Sequence, residues 1–132
     1  LNMVNKNSDK MKYLIISLFA TIGLISCSKE VSRPSIKGIV IDSITNMAIS
    51  NALIRYEGRP TDETFKTNKL GYFSINGIIH SNLISLEGRD NDFKLIIFSP
   101  GYINDTINKG TRYGFSTDTI QLDTIKLIPV KN

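Results

Sequence analysis

The sequence predicts an all-β domain behind a short N-terminal export segment. Segments of alternating apolar and polar residues, bounded by turn residues, recur from residue 36 onward. No stretch of ten or more residues there shows the 3.6-residue apolar period of an amphipathic helix. The residues from Ser28 onward suffice for one domain with a single core. We therefore expect one β domain.

The export segment is a charge-free run over residues 13–26 that follows three lysines. A membrane-spanning helix needs ~20 apolar residues, so this run is short for a span and has the length of a signal-peptide core. Either Met3 or Met11 would begin a workable signal peptide. The sequence thus predicts a cleaved signal peptide over residues 1–26.

Residues 24–27, with the sequence LISC, resemble the lipobox of bacterial lipoproteins, in which the final cysteine receives the lipid. Cys27 is the only cysteine, and polar residues surround its C-terminal side, so a buried core thiol is the weaker interpretation. We expect lipidation at Cys27 and a tether to the fold over residues 27–35. Ser28, rather than aspartate, follows the cysteine, which favours the outer membrane and leaves open the face on which the protein lies.

The first predicted strands alternate cleanly. In residues 36–42, Ile36, Gly38 and Val40 share one side, and the other side is apolar enough to be covered too. A second strand, around residues 52–57, has one apolar face and one charged face. It is therefore predicted to be half-exposed.

A hairpin is predicted next. Residues 64–67 and 72–75 flank a turn over residues 68–71, in which Gly71 is available for a positive φ angle. Such a spacing is typical of two neighbouring antiparallel strands.

The most hydrophobic segment, residues 93–98, is predicted as a central strand that ends at Ser99-Pro100-Gly101. Further strands are predicted over residues 102–107, 117–122 and 125–128. Near Asp123 the apolar residues change from one set of alternate positions to the other, which predicts a register break there. The predicted core residues are Val40, Ile54, Phe73, Leu95 and Ile97.

Four segments in order carry a family resemblance: KGIVID at residues 37–42, NALI at 51–54, TNKLGYFSI at 67–75 and FSPGY at 98–102. Together they resemble the carboxypeptidase regulatory-like family, also called the carboxypeptidase D regulatory domain. Ala48 and Asn68 depart from the pattern, which usually has proline and aspartate there. The resemblance implies a seven-stranded, prealbumin-like (transthyretin-like) β-sandwich over residues 36–130. It also implies no active site, because this module accompanies catalytic or transport domains.

Composition excludes several classes of protein. Of 16 Lys and Arg and 12 Asp and Glu residues, three and one lie in the first 26 residues, so the body is nearly balanced and gives no reason to expect nucleic acid. One cysteine and one histidine cannot form an internal disulfide or supply the four ligands of a usual structural zinc site. We predict no metal and no cofactor.

Catalytic candidates are few. His80 is the only imidazole, so a small secreted hydrolase would have to use it. Residues 90–92 suggest a calcium loop, but Leu95 and Gly101 stand where an EF-hand needs Gly and Glu. The adjacent acids Asp62-Glu63 are expected to point apart in a charged loop. We therefore expect no enzyme activity.

Binding residues are expected in the long loops, because long loops on a rigid scaffold concentrate function. Residues 79–92 exceed the usual connection of the family and are interpreted as an inserted loop or hairpin, and residues 108–116 are rich in glycine and polar residues. The binding candidates are Arg89, Arg112 and Tyr113.

Three functions remain in competition. The first is a non-catalytic, membrane-anchored lipoprotein that acts as an accessory or interaction module of the cell envelope. The second is a glycan- or peptide-binding lipoprotein beside an outer-membrane transporter. Tyr102, Tyr113 and Phe115 are candidates either for an aromatic carbohydrate platform or for closing the open end of the sandwich. The third is the hydrolase that would use His80.

Overall fold

The computed structural model describes residues 2–22, 28–58, 62–82 and 91–132. The chain divides into two compact units, one built on the N-terminal helix and a larger one that holds most of the strands. Cys27 and Arg89 lie outside the described residues, so lipidation and the role of Arg89 stay predictions.

The N-terminal unit contains helix α1, Asn2–Ile22, with exposed apolar side chains over its second half. An i,i+3 ion pair joins Lys12 Nζ and Asp9 Oδ1 at 4.0 Å. Among the described residues, no helix combines the length and hydropathy of a membrane span.

Ten strands lie in the described residues, rather than the seven that the resemblance implies. They are β1 Ser28–Arg33, β2 Ile36–Asp42, β3 Leu53–Glu57, β4 Glu63–Lys66, β5 Tyr72–Ile75, β6 Ile78–Asn82, β7 Asp92–Phe98, β8 Asp105–Gly110, β9 Ile120–Gln121 and β10 Ile125–Leu127. The surplus comes from the pair β1–β6 and from an edge strand that is split into β9 and β10.

Two four-stranded sheets face each other across the core, so the all-β sandwich is confirmed. The first has the order β4-β3-β7-β8 with antiparallel neighbours, and β7 is a central strand as predicted. The second has the order β10-β2-β5, with β9 also pairing β2. All five predicted core residues are buried: Val40, Ile54, Phe73, Leu95 and Ile97. The hydrophobic core draws on both sheets.

The predicted hairpin over residues 64–75 is wrong. β4 pairs with β3, whereas β5 pairs with β2 in the other sheet, so the turn at residues 68–71 carries the chain across the sandwich. The hydroxyl of Thr67, just after β4, explains why β4 stays beside β3 and apart from β5. It donates to the Ile49 carbonyl at 2.7 Å and accepts the Ala52 N–H at 2.9 Å, both in the segment that precedes β3. The positive φ of Gly71, 76°, is confirmed.

The predicted register break near Asp123 is confirmed. Ile120 is aligned with Ile36, but Ile125 is aligned with Val40, so one extra residue lies between β9 and β10 along the parallel edge of β2. Leu122 and Ile125 are both buried as a result. The bulge changes which alternate residues point inward, so the apolar residues before it and after it both face the core.

Residues 28–33, which were predicted to be part of a tether, form strand β1 and pair with β6. The side chain of Arg33 is only 6% exposed, and its guanidinium lies 5.7 Å from the ring centroids of both Tyr56 and Phe65. Arg33 Nε donates to the Asn76 carbonyl at 2.8 Å, and Nη1 lies 2.9 Å from Glu63 Oε1. A charged residue thus joins this segment to the sandwich, which composition alone did not indicate.

β8 begins three residues later than predicted, at Asp105. Tyr102 instead makes a single bridge to Pro129, and the Ile103 N–H donates to the Ile128 carbonyl at 2.8 Å. The segment after Pro100 and Gly101 therefore pairs with the C-terminal residues before it joins the first sheet.

Candidate functional site

An open groove of about 300 Å³ lies on the outer face of the second sheet. Its lining residues come from β2, from β5 and the turn before it, and from β9: Lys37, Asn68, Tyr72, Phe73, Ser74 and Gln121. Phe73 points into the core. Because side chains alternate along a strand, the strand neighbours of such core residues point outward and share one surface.

The centre of the groove is a row of polar side chains across three strands. Lys37 is aligned with Ser74 of β5 on one side and with Gln121 of β9 on the other. With neighbouring strands ~4.8 Å apart, the row is about 10 Å wide. Gln121 Nε2 makes only long contacts, 3.5 Å to the Lys37 carbonyl and 3.4 Å to the Leu122 carbonyl. The row presents an ammonium, a hydroxyl and an amide.

Tyr72 supplies the aromatic surface of the groove and is 50% exposed. It is aligned with Ile39, so it is a diagonal neighbour of Lys37, with side chains roughly 7–8 Å apart. The turn residue Asn68 fixes the start of β5, because its Oδ1 accepts the N–H groups of Leu70 at 2.9 Å and Tyr72 at 3.0 Å. The Nδ2 donors of Asn68 are the part of that amide that a ligand can use.

Tight packing lies under the groove. Phe73 is aligned with Gly38, and a Cβ at Gly38 would lie 2.6 Å from Phe73 Cε1. Only glycine at position 38 lets the Phe73 ring lie so close to β2, and Leu122 packs beside the same position. The surface groups therefore stand on a rigid part of the sandwich, which favours a pre-formed site.

The predicted binding loop after β8 has a different arrangement. Tyr113 is 82% exposed, and the Arg112 guanidinium lies 5.8 Å from its ring centroid. Neither residue lines the groove. Their loop is held at its start by the Thr111 N–H, which donates to the Asn91 carbonyl at 2.7 Å.

Tyr102, Tyr113 and Phe115, the candidates for an aromatic platform, do not lie on one surface. Phe115 packs against Phe93 of β7, with ring centroids 5.4 Å apart, and closes the side of the core. Tyr102 uses its hydroxyl in a contact with Asp42. Of the three rings, Tyr113 alone is displayed to solvent.

Asp42 accepts hydrogen bonds through both of its carboxylate oxygens. Its Oδ1 accepts the N–H groups of Ile44 at 2.7 Å and Thr45 at 2.9 Å, and its Oδ2 accepts the Tyr102 hydroxyl at 2.9 Å. These bonds, that from Thr45 first, lower the pKa of Asp42 below its ordinary value. The bond to Asp42, with burial, raises the pKa of Tyr102. Both carboxylate oxygens are engaged within the fold, so we assign Asp42 a structural role.

The remaining acid and imidazole candidates are dispersed. His80 is exposed on β6. Asp62 Oδ1 accepts the Gly58 N–H at 3.2 Å, whereas Glu63 pairs with Arg33. In the part of the chain that the structure describes, no three His, Cys, Asp or Glu side chains are grouped to hold a metal ion.

Sequence reasoning missed the groove. Lys37 was predicted to lie on a side of its strand that is apolar enough to be covered, and no face was predicted for Tyr72 or Gln121. The three become neighbours only because β5 and β9 both pair with β2. A usable signal was present, since polar or aromatic side chains occupy the outward positions of three separate segments. The pairing of those segments was the missing information.

No family model matches the chain, and no curated protein matches it. Two Bacteroides structures are similar to it. One is a protein of Bacteroides uniformis to which carbohydrate binding is ascribed, with TM-score 0.46 and 15% identity over 74% of this chain and 42% of that chain. The other is a Bacteroides fragilis protein of unknown function to which membrane association is ascribed, with TM-score 0.44 and 12% identity over 78% of this chain and 30% of that chain.

The chain therefore spans less than half the length of either solved protein. The resemblance to the carboxypeptidase regulatory-like family stays a prediction.

Proposed function

We propose that this protein is a non-catalytic, lipid-anchored interaction module of the cell envelope, and that it holds its ligand in the groove on the second sheet. The groove itself carries the proposal: a half-exposed tyrosine ring, an ammonium, a hydroxyl and two amides line one groove of about 300 Å³. An aromatic body with a few convergent polar groups is the usual composition of a small-ligand site.

The anchor rests on the sequence around Cys27. A charge-free run of signal-peptide length precedes it, and the LISC box places the thiol where a lipid donor at the bilayer surface can reach it. We place the protein at the outer membrane. Metabolic labelling with an alkyne fatty acid should tag the wild-type protein and leave Cys27→Ser unlabelled, and equal labelling of both would contradict the anchor.

The inventory of reactive groups supports a binding role. A nucleophile needs a partner base at neutral pH, and the sequence holds one histidine and one cysteine, of which the cysteine is assigned to the lipid. The carboxylate of Asp42, whose pKa is lowered, is occupied by hydrogen bonds from Thr45, Ile44 and Tyr102.

The direct test measures retention of envelope components by the full lipoprotein in detergent. Tyr72→Ala removes the ring from the groove, and Tyr113→Ala removes the most exposed ring of the loop. We expect Tyr72→Ala to reduce retention about tenfold, equivalent to ~1.4 kcal/mol, and Tyr113→Ala to leave it unchanged. The reverse order would assign binding to the loop and refute the groove.

The second candidate function, a glycan-binding lipoprotein that works beside an outer-membrane transporter, is favoured by the chemistry of the groove. Sugar rings present apolar C–H faces to aromatic rings and hydroxyls to amides, and Tyr72 lies among such partners. Co-purification with a transporter that is lost on Tyr72→Ala would support this role, whereas an association that survives the change would contradict it.

A further inference from the structure

We infer that the groove on the second sheet binds a saccharide that carries acidic groups, with Lys37 as the counter-charge and Tyr72 as the stacking surface. The inference rests on the proposed function and adds to it the chemical class of the ligand. The charge of the groove and the placement of its aromatic ring support it independently.

The charged outward positions in the strands of this sheet face are cationic. They are Lys37 and Lys126, beside Ile39, Ile41, Tyr72, Ser74 and Gln121, while the exposed acid Asp123 lies in the bulge between β9 and β10. Lys37 has no carboxylate within ion-pair distance among the described side chains. An unpaired cation beside neutral hydrogen-bonding groups attracts an anionic ligand.

The first sheet provides an internal contrast. On its β3 and β7 strands, Arg55 Nη2 lies 3.5 Å from Glu57 Oε1, and Lys94 Nζ lies 3.3 Å from Glu57 Oε2. One glutamate thus lies within ion-pair distance of two cations there. Among the described side chains, Arg55 and Lys94 therefore have an acid partner, whereas Lys37 has none.

The ring and the ammonium have a spacing that suits a uronate. In a uronic acid the carboxylate is attached to the edge of the pyranose ring, a few ångströms from the ring centre. A sugar stacked on Tyr72 can therefore direct its carboxylate towards Lys37, the diagonal neighbour on β2. Ser74 and Gln121 flank the ammonium and can pair with sugar hydroxyls.

Strand pairing gives an acidic peptide no edge at the centre of the groove. β2 pairs with β5 on one side and with β9 and β10 on the other, so strand addition would have to use an outer edge of the sheet, one strand away from Lys37. A bound peptide would bring its own N–H and C=O groups, which strand addition would otherwise satisfy. The ammonium, hydroxyl and amide side chains of the groove match a ligand whose polar groups are hydroxyls and carboxylates.

The test is calorimetric titration of the full lipoprotein in detergent with three probes: an oligogalacturonate, the same oligosaccharide as its neutral methyl ester, and a poly-glutamate peptide of equal charge. We expect the oligogalacturonate to bind at least about tenfold more tightly than either other probe. Its affinity should fall as salt is raised. Lys37→Gln should weaken binding about tenfold, and Lys37→Arg should restore it. Lys109→Gln, at an exposed position of β8, is the matched control and should have no effect.

The failures separate the inference from the proposed function. Equal binding of the neutral ester, still lost with Tyr72→Ala, would overturn the acidic class and keep the groove. Preference for poly-glutamate, or no binding of either saccharide, would overturn the saccharide class. Oligogalacturonate binding that neither Lys37→Gln nor Tyr72→Ala changes, in variants with wild-type circular dichroism, would overturn both the inference and the groove.

Discussion

The hydroxyl of Tyr102 donates to Oδ2 of Asp42 at 2.9 Å, across sixty residues of chain. The contact joins the end of β2 to the segment that follows β7, and the other carboxylate oxygen caps the turn at Ile44 and Thr45. One carboxylate therefore fixes a local turn and a long-range crossing together. Asp42 closes the first segment of the family resemblance, and Tyr102 closes the last.

This pair predicts a pH dependence of stability with a defined sign. Backbone N–H groups and the Tyr102 hydroxyl lower the pKa of Asp42, so its stabilising contribution is present above the unfolded pKa near 3.8 and is lost as pH falls through the lower folded value. The pKa of Tyr102 is raised, so its contribution is present below about 10 and is lost as pH rises through the folded value.

Thermal melts of the lipoprotein across this pH range check the prediction. Asp42→Asn should have a lower Tm than wild type at about pH 7, and the difference should shrink below about pH 4. Tyr102→Phe should lower Tm at neutral pH and lose its effect at high pH. Asp123→Asn, at an exposed position, is the control. A constant difference for Asp42→Asn at every pH would contradict the assignment.

Arg33→Ala should destabilise the larger unit strongly. The change removes an ion pair to Glu63, a bond to the Asn76 carbonyl and two aromatic contacts from a nearly buried side chain. We expect a loss of about 2–3 kcal/mol in the free energy of unfolding, measured by urea denaturation. Arg33→Lys should recover only part of it, since one ammonium cannot reproduce a planar, forked group.

Arg55→Ala is the matched control for that measurement. Its ion pair with Glu57 is longer, 3.5 Å, and its side chain is 58% exposed. Exposed pairs contribute ~0–1 kcal/mol, so the variant should stay close to wild type. Equal losses for the two variants would show that burial of Arg33 contributes nothing.

Gly38→Ala should destabilise the second sheet because its Cβ would lie 2.6 Å from the ring of Phe73. Overpacking of this kind costs ~1–3 kcal/mol. Gly110→Ala, where the nearest atom would be 3.5 Å away, should be nearly neutral. Unfolding of the double variant Gly38→Ala with Phe73→Leu checks the cause, because a smaller side chain should recover part of the loss. If Phe73→Leu recovers none of the lost stability, the clash with this ring is not the cause of the destabilisation by Gly38→Ala.

Much of the fold follows from local alternation. The buried positions of β2, β3 and β7 were predicted because apolar residues recur at every second position, and the break near Asp123 was visible as a change of apolar parity. The predicted hairpin is wrong because the turn at Gly71 specifies a reversal of the chain and does not specify which strand pairs with β5. Strand β1 was missed because its anchor is a charged residue, Arg33, whose partners are distant in sequence.

The candidate site was harder to predict than the fold. Arg112 and Tyr113 were favoured because their loop is long, and they are exposed as expected, yet the groove is built from strands. Lys37 and Gln121 are 84 residues apart and adjoin only through the parallel pairing of β2 and β9. Short parallel pairs leave no local pattern, so sequence alone did not bring these residues together.

Site-specific photo-crosslinking in intact cells tests the central claim most directly. A photo-reactive amino acid replaces Ser74 in the groove or, in separate strains, Tyr113 in the loop and Thr106 on β8, all of which are exposed. The account predicts a crosslinked adduct from position 74 that Tyr72→Ala abolishes, and none from positions 106 or 113. Adducts from position 113 with none from position 74 would contradict it.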